Sequence, residues 1–286
     1  MKLRYNSYMG FLPLLLSLLF PFITHGSDSL KVITYNIRRA GQEDKGVNWK
    51  DRKNAMADYI IRSKTDILCI QEGLSLQVQF LDSIAGYDYV GVGRDDGKEE
   101  GEYCAIFYNK NKWQVKDSGT FWLSPDTKSP GIAWDAACTR ICTWALFYNQ
   151  QGQSFYVFNT HFDHIGKIAR QESARLITAR AMLMDPAVPL LICGDLNAQS
   201  SDKSIRIISE LFRSTDDINQ PPSRQLTSFN NWDASCAKKG YKIDYIFFNA
   251  QWNVIRYYTD QHEYNGKLLS DHYPVTLVAE PRFNTK

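Results

Sequence analysis

Six apolar runs in this chain end in, or enclose, a residue able to bind a metal, a proton or a phosphate. Val32-Ile33-Thr34-Tyr35 leads into Asn36, and Asp66-Ile67-Leu68-Cys69-Ile70-Gln71 into Glu72. Phe155-Tyr156-Val157-Phe158-Asn159-Thr160 ends in His161, and Pro189-Leu190-Leu191-Ile192-Cys193-Gly194 in Asp195-Leu196-Asn197. Asp244 interrupts the run from Lys242 to Phe248, and Leu269-Ser270-Asp271-His272-Tyr273 closes the series. Asp195 and Asn197 are two apart, so in extended geometry both project the same way and can hold a water and a phosphoryl oxygen. A His whose second ring nitrogen bonds a carboxylate is fixed in tautomer and made more basic, as proton transfer at His272 would require. A carboxylate as surrounded by apolar side chains as Asp244 needs a partner, because unpaired burial is costly; His272 and a metal are the expected ones. Each signal alone has an ordinary reading. Gly-Asp-x-Asn is a common turn, Glu after a strand is often a surface residue, and His161-x-Asp163-His164 fits a metal cluster, a rim hydrogen-bond group or a polar loop. Together they describe metal-assisted hydrolysis better than they describe a core.

The elements that must position these groups follow from periodicity. Strands are predicted at 31–36, 66–71, 88–92, 103–109, 113–120, 140–149, 154–160, 189–194, 242–249, 252–258 and 273–279. Helices are predicted at 49–62, opened by Asn48 as cap, at 75–84, at 167–184 and at 203–213. In the 167–184 helix, Ala169, Ser173, Leu176, Ile177, Leu183 and Met184 form one face, and Lys167, Arg170 and Arg175 the other. So many strands with few crossover helices predict an α/β, four-layer sandwich of two stacked mixed β-sheets flanked by helices. Functional groups then gather where strand ends meet on one rim.

Composition narrows the class. The chain has 286 residues and no Pro/Gly/Ser-rich linker or solenoid repeat, so one catalytic domain over 27–286 is the economical reading. Residues 1–26 read as a secretory signal peptide: Lys2 and Arg4 form a basic start, Phe11 to Ile23 an apolar stretch, and Thr24-His25-Gly26 the cleavage region. The apolar stretch is shorter than the ~20 residues that span a bilayer, which predicts a secreted or periplasmic protein with no transmembrane domain. Without Lys2 and Arg4, the 33 basic residues fall to 31 against 31 acidic ones. A near-neutral chain lacks the basic excess that phosphate-tracking nucleic-acid binders carry. Of six cysteines, Cys69 and Cys193 sit in apolar runs, Cys138 and Cys142 are too far apart if extended, and Cys104 and Cys236 lack an evident partner. At most one disulfide is expected.

The order and context of these motifs resemble the endonuclease/exonuclease/phosphatase superfamily, which has the pancreatic-type deoxyribonuclease fold. The most specific parts are Gln71-Glu72, Gly194-Asp195-Leu196-Asn197 and Ser270-Asp271-His272. Ser118–Asp126 and the Gly-Ile-Ala-Trp stretch at 131–134 resemble secreted bacterial members. The resemblance implies Mg²⁺, with Mn²⁺ as substitute, held by Glu72, Asn36 and Asp271. It implies that Asp195 and Asn197 orient the attacking water and contact the phosphate. His272 with Asp244 becomes the general base or transition-state hydrogen-bond donor, and His161 a second phosphate-contacting His with Glu102 as its partner. Arg140 resembles a phosphate-binding Arg, while Asp163 and His164 serve the loop or the substrate. A general base alone gives only ~10²–10⁴-fold, so a cation neutralising the transferring group is needed as well. Its oxygen-rich ligands suit a hard ion.

The expected substrate is a small, lipid- or sugar-linked phosphate ester, monoester or diester. Nucleic acid is not favoured, because the acidic run Asp95-Asp96-Gly97-Lys98-Glu99-Glu100 precedes Glu102 and would repel a polyanion at the site mouth, unless it is a solvated hairpin tip. The alternatives are a secreted nuclease of the same superfamily, a dinuclear phosphatase using His161, Asp163 and His164, and a catalytically silent binding module.

Overall fold

The computed structural model describes residues 29–41, 47–214, 227–238, 241–261, 263–264 and 266–282; the expected signal segment lies outside them. In chain order the strands are β1 (Leu30–Asn36), β2 (Ile67–Gln71), β3 (Tyr87–Val90), β4 (Ile106–Asn109), β5 (Gln114–Trp122) and β6 (Ile141–Tyr148). They continue with β7 (Ser154–His161), β8 (Leu190–Asp195), β9 (Arg213–Ser214), β10 (Asp244–Phe248), β11 (Trp252–Thr259) and β12 (Val275–Pro281). The α-helices among the described residues are α1 (Trp49–Ser63), α2 (Ser75–Asp82), α3 (Lys167–Ala181) and α4 (Lys203–Ser209), and a short 3₁₀ helix covers Ala234–Lys238.

Alternation along the strands builds the layers. Val32, Cys69, Val157, Cys193 and Ile246 point into one core between the sheets, while their neighbours Ile33, Ile70, Phe158, Ile192 and Phe247 point outward. Trp49, Met56 and Ile60 of α1 and Val78 and Leu81 of α2 cover the outer face of the first sheet. Ala174, Ile177 and Ala181 of α3 with Ile205 and Ile208 of α4 cover the second. The first sheet has the order β11-β12-β1-β2-β4-β3 and the second β5-β6-β7-β8-β10-β9. Both are mixed: β1 runs parallel to β2 and β7 to β8, and the other pairs are antiparallel. Helices outside two stacked sheets give the four layers expected.

Local departures have physical causes. Arg170 belongs to the buried side of α3, because its guanidinium reaches back to donate to the Asp163 carbonyl at 2.9 Å. Leu183 lies past the end of that helix and is 84% exposed, so it is no part of the core face. Asn48 stands at the N-cap of α1 but makes no side-chain cap bond. The acidic run is the exposed tip of a tight hairpin closed by Gly93 N–Lys98 O and Asp95 N–Glu100 O. All six cysteines are free. Position 194 requires glycine: its φ is +154°, and a Cβ there would meet the Thr160 carbonyl oxygen at 2.1 Å. That closeness lets β7 and β8 deliver His161 and Asp195 side by side.

Candidate active site

Strand register assembles the site. Asn36 pairs with Gln71 across β1 and β2, His161 with Asp195 across β7 and β8, and Asp195 with Asp244 across β8 and β10. The first sheet therefore presents Asn36 and Glu72, and the second presents His161, Asp195 and Asp244 in one row. The segment before β12 brings Asp271 and His272 between them.

Hydrogen bonds join these groups across the sheets. Asn36 Nδ2 donates to Glu72 Oε1 at 3.0 Å and to Asp195 Oδ2 at 2.9 Å. His272 Nδ1 meets Asp244 Oδ2 at 2.9 Å, and His272 Nε2 lies 3.6 Å from Asp195 Oδ2. Asn197 Nδ2 donates to the Phe162 carbonyl and to His161 Nε2, each at 3.0 Å. The carbonyl partner fixes which end of the amide is nitrogen, so Asn197 Oδ1 is the atom left for the cleft. His161 Nε2 is then an acceptor, and its proton sits on Nδ1, 4.0 Å from Glu102 Oε2.

Charge is tuned by burial and neighbours. Burial opposes the charged form of His272, yet Asp244 and Asp195 outweigh it and push the pKa up to about 10. Burial and the nearby Asp244 raise Asp195 to about 7, against the pull of His272 and Asn36. His161 goes the other way: burial, then Arg140 and Arg94, hold it well below its ordinary value and therefore neutral. Burial raises Glu72, but Asn36 and Arg38 prevail and it is lowered; Asp271 is raised by burial and Glu72 despite His272 and Arg38.

Strain concentrates in the same place. Arg38, Glu72 and Asn197 all have left-handed φ, at 55°, 61° and 46°. Such conformations persist only where the surroundings over-determine them, and they cluster at functional sites.

Several residues support the site in ways that no motif assigned. Ser270 Oγ donates to the Asn36 carbonyl at 2.7 Å, pegging the Asp271-His272 segment to β1. Arg52 of α1 donates to the carbonyls of Ile37, Arg38 and Leu269, tying the same two segments together. Asn159 bridges the sheets by accepting from Gln71 Nε2 at 2.7 Å and donating to the carbonyls of Ile70 and Ala105 at 2.9 Å. Period-two spacing from His161 puts Asn159 on the intersheet face and could have revealed it. Asp163 is a loop organiser, accepting from the backbone of Ala137, Ile165 and Gly166. His164 Nδ1 faces Arg140 Nη2 at 3.3 Å. His161 and His164 do not share a group whose ligand atoms lie within 4.8 Å, so the dinuclear arrangement is not formed among the described residues.

A row of buried carboxylates, amides and imidazoles at the rim of such a sandwich is the set of groups that metal-dependent hydrolysis of ester bonds uses. The chain belongs to the Endonuclease/Exonuclease/phosphatase family, whose pattern matches residues 33–272. A family protein of known structure from Bacteroides thetaiotaomicron is 32% identical, covers 91% of this chain and 99% of its own, and superimposes with a TM-score of 0.82. A mannosyl-6-phosphatase of the same organism is 33% identical over 88% of this chain and 99% of its own, with a TM-score of 0.81. Mouse nocturnin is 23% identical over 266 residues, 83% of this chain and 59% of the relative, and fruit-fly nocturnin is matched over 29% of its length. The chain thus spans less than two thirds of the length of either nocturnin.

The family works with divalent metal, and the residues here fit one. Arg38 Nη1 lies 3.5 Å from Glu72 Oε2 and Arg38 Nε 3.6 Å from Asp271 Oδ2, so these two carboxylates already share a cation. Their donor atoms are all oxygen, as a hard ion prefers. Asn36 meets Glu72 through its amide nitrogen, and its Oδ1 accepts from the Arg38 backbone at 3.0 Å. The Asp195–Asp244–His272 group also has closely spaced ligand atoms, but there Asp244 Oδ2 and His272 Nδ1 already engage each other, and only Asp244 Oδ1 is left without a partner.

Proposed function

We propose that this chain is a Mg²⁺-dependent phosphatase of small, sugar-linked phosphate esters, exported by cleavage of residues 1–26. The observation that carries it is the unbroken polar path Glu72–Asn36–Asp195–His272–Asp244, whose ends are a metal-type carboxylate and a carboxylate-held imidazole. Similarity to a mannosyl-6-phosphatase and the near-neutral charge favour a small sugar phosphate over a long polyanion. No described helix is long and apolar enough to cross a membrane.

Glu72 and Asp271, with Asn36 beside them, would hold the ion; when bound, it neutralises charge on the phosphoryl oxygens. Asp195, whose carboxyl pKa burial and the nearby Asp244 push upward, receives the proton of the attacking water. Asn197 Oδ1 orients that water. His272, kept charged by Asp244, donates from Nε2 to the phosphoryl group, and neutral His161 positions Asn197. Arg140 supplies positive charge beside His161.

The test is hydrolysis of hexose 6-phosphates, glycerol phosphate and duplex DNA with Mg²⁺ or Mn²⁺, with and without chelator. Chelator-sensitive turnover of the sugar phosphate with a shallow salt dependence is expected. Efficient DNA cleavage with a steep salt slope, as counterion release demands, would instead make this a nuclease. Mass spectrometry of the exported protein checks the cleavage.

A further inference from the structure

Asp163 and His164 fit a metal cluster by residue type, and the fold brings them a third ligand that the sequence did not suggest. Two loops meet beside the second sheet: residues 131–138, which lead towards β6, and residues 162–166, which join β7 to α3. Asp135 accepts from the backbone N–H groups of Ile168 and Ala169 at 3.1 and 2.7 Å, and Asp163 Oδ2 accepts from that of Ala137 at 2.9 Å. Held this way, Cys138 points its Sγ at Asp163 Oδ2 from 3.7 Å. One ligand atom each of Cys138, Asp163 and His164 lie within 4.8 Å of one another.

The spacing suits a tetrahedral ion. Bonds of ~2.3 Å to sulfur and ~2.0 Å to oxygen put those two atoms ~3.5 Å apart, close to the 3.7 Å observed. An imidazole nitrogen needs ~3.3–3.6 Å to each of them, and the His164 ring is exposed, so it can turn to meet that demand. The carboxylate is already prepared. Burial opposes its charge, but the N–H groups of Gly166, Ile165 and Ala137 prevail and hold its pKa below the ordinary value. Oδ1 takes Ile165 and Gly166 at 2.9 and 2.7 Å, whereas Oδ2 takes Ala137 alone from the backbone. A second lone pair of Oδ2 is thus left where the thiol now points.

Arg140 is the competing cation. Its Nε lies 3.8 Å from Asp163 Oδ2 and its Nη2 3.3 Å from His164 Nδ1. Both contacts are long for a hydrogen bond, and Glu102 offers the same guanidinium another carboxylate at 3.9 Å. Ligand bonds of ~2 Å to a divalent ion outweigh them.

We propose that Cys138, Asp163 and His164 bind a Zn²⁺ ion, with water in the fourth position, at a site built from other residues than the Mg²⁺ centre at Glu72 and Asp271. Thiolate and imidazole select zinc over magnesium, which prefers oxygen alone. Burial keeps the Cys138 proton on, against the pull of Arg140. That proton leaves to water as the Zn–S bond forms, so thiolate and carboxylate together balance the charge of the ion. A metal-bound imidazole donates from its other nitrogen, so His164 releases Arg140 to Glu102. The ion then braces the 131–138 loop against the segment that follows His161.

The experiment titrates Co²⁺, the spectroscopic substitute for Zn²⁺, into the full protein in excess Mg²⁺, which keeps the hydrolytic centre filled. Wild type should develop the near-ultraviolet band of a cobalt–thiolate bond, and added Zn²⁺ should erase it. Cys138→Ala should lose the band. His164→Ala should weaken Co²⁺ binding at least ~100-fold, beyond what loss of an outer-shell partner costs. Cys236, whose Sγ lies 3.5 Å from Asp233 Oδ2, is the control, and Cys236→Ala should leave the spectrum unchanged. Zn²⁺ should raise the Tm of wild type and not that of Cys138→Ala. A wild type without the band, or a band that persists in Cys138→Ala, overturns the proposal. Should Cys138→Ala not fold, His164→Ala decides, because that side chain is exposed: unchanged Co²⁺ affinity there overturns it as well.

Discussion

Replacing Asn159 by Ala would remove the polar bridge between the sheets at the point where the metal-type carboxylate is held. Asn159 is fully buried and makes three hydrogen bonds: from Gln71 Nε2, and to the Ile70 and Ala105 carbonyls. Gln71 would keep Thr34 Oγ1 at 3.0 Å, and the Ala105 carbonyl would keep the Ile70 N–H at 2.9 Å, so neither becomes an orphan. The loss is then three ordinary hydrogen bonds at ~0.5–1.5 kcal/mol each, plus a small cavity, or about 3 kcal/mol. That is a large part of a stability of ~5–15 kcal/mol, but the protein should stay folded. For a chain of this size it corresponds to a fall in Tm of about 6–12 °C. A second effect follows from the left-handed Glu72 backbone beside Gln71. With Gln71 less anchored, Glu72 can relax, and metal affinity should drop about tenfold, as for other residues that orient a ligand. Urea unfolding gives the first number and calorimetric Mg²⁺ titration the second. An Asn159→Ala protein within 1 kcal/mol of wild type and with unchanged Mg²⁺ affinity would refute the reasoning.

Other outcomes follow from the same geometry. Glu72→Ala should abolish both hydrolysis and the rise in Tm on adding Mg²⁺, read by scanning calorimetry. His272→Ala should keep that Mg²⁺-induced rise while losing at least the ~10²-fold in kcat of one transition-state hydrogen-bond donor; full turnover would remove His272 from its role. Because the folded-state pKa of His272 is raised above its unfolded value to about 10, its contribution to metal-free stability is fully present below pH ~6.5 and lost as pH rises through about 10. Urea unfolding in chelator should show that decline, and Asp244→Asn should flatten it.

Much of this molecule was legible in the chain because its chemistry is written at strand ends. Apolar runs with period-two alternation mark the strands, and the polar residue that ends each run must emerge at an edge of a sheet. Asn36, Glu72, His161, Asp195 and Asp244 could be selected on that ground, as could the helices that cover the outer faces. Local pattern fails wherever a partner is distant or a side chain long. Arg170 sits on the face that composition assigns to solvent, yet its length lets the guanidinium reach the Asp163 carbonyl. Asn159 looks like one polar interruption in β7, and only stacking of the two sheets sets it against Gln71. Arg39, Arg94 and Arg140 lie in unrelated segments, and strand order with hairpin geometry brings them to Glu102. Protonation was likewise undecided: two carboxylates hold the His272 pKa up against its burial, while burial, then Arg140 and Arg94, hold that of His161 down. The sequence by itself determined which residues reach the rim, since alternation and strand length are local. Which of them meet, and which ones hold a charge, was decided by register and sheet stacking, because electrostatic and hydrogen-bond energies depend on distances that no local pattern encodes.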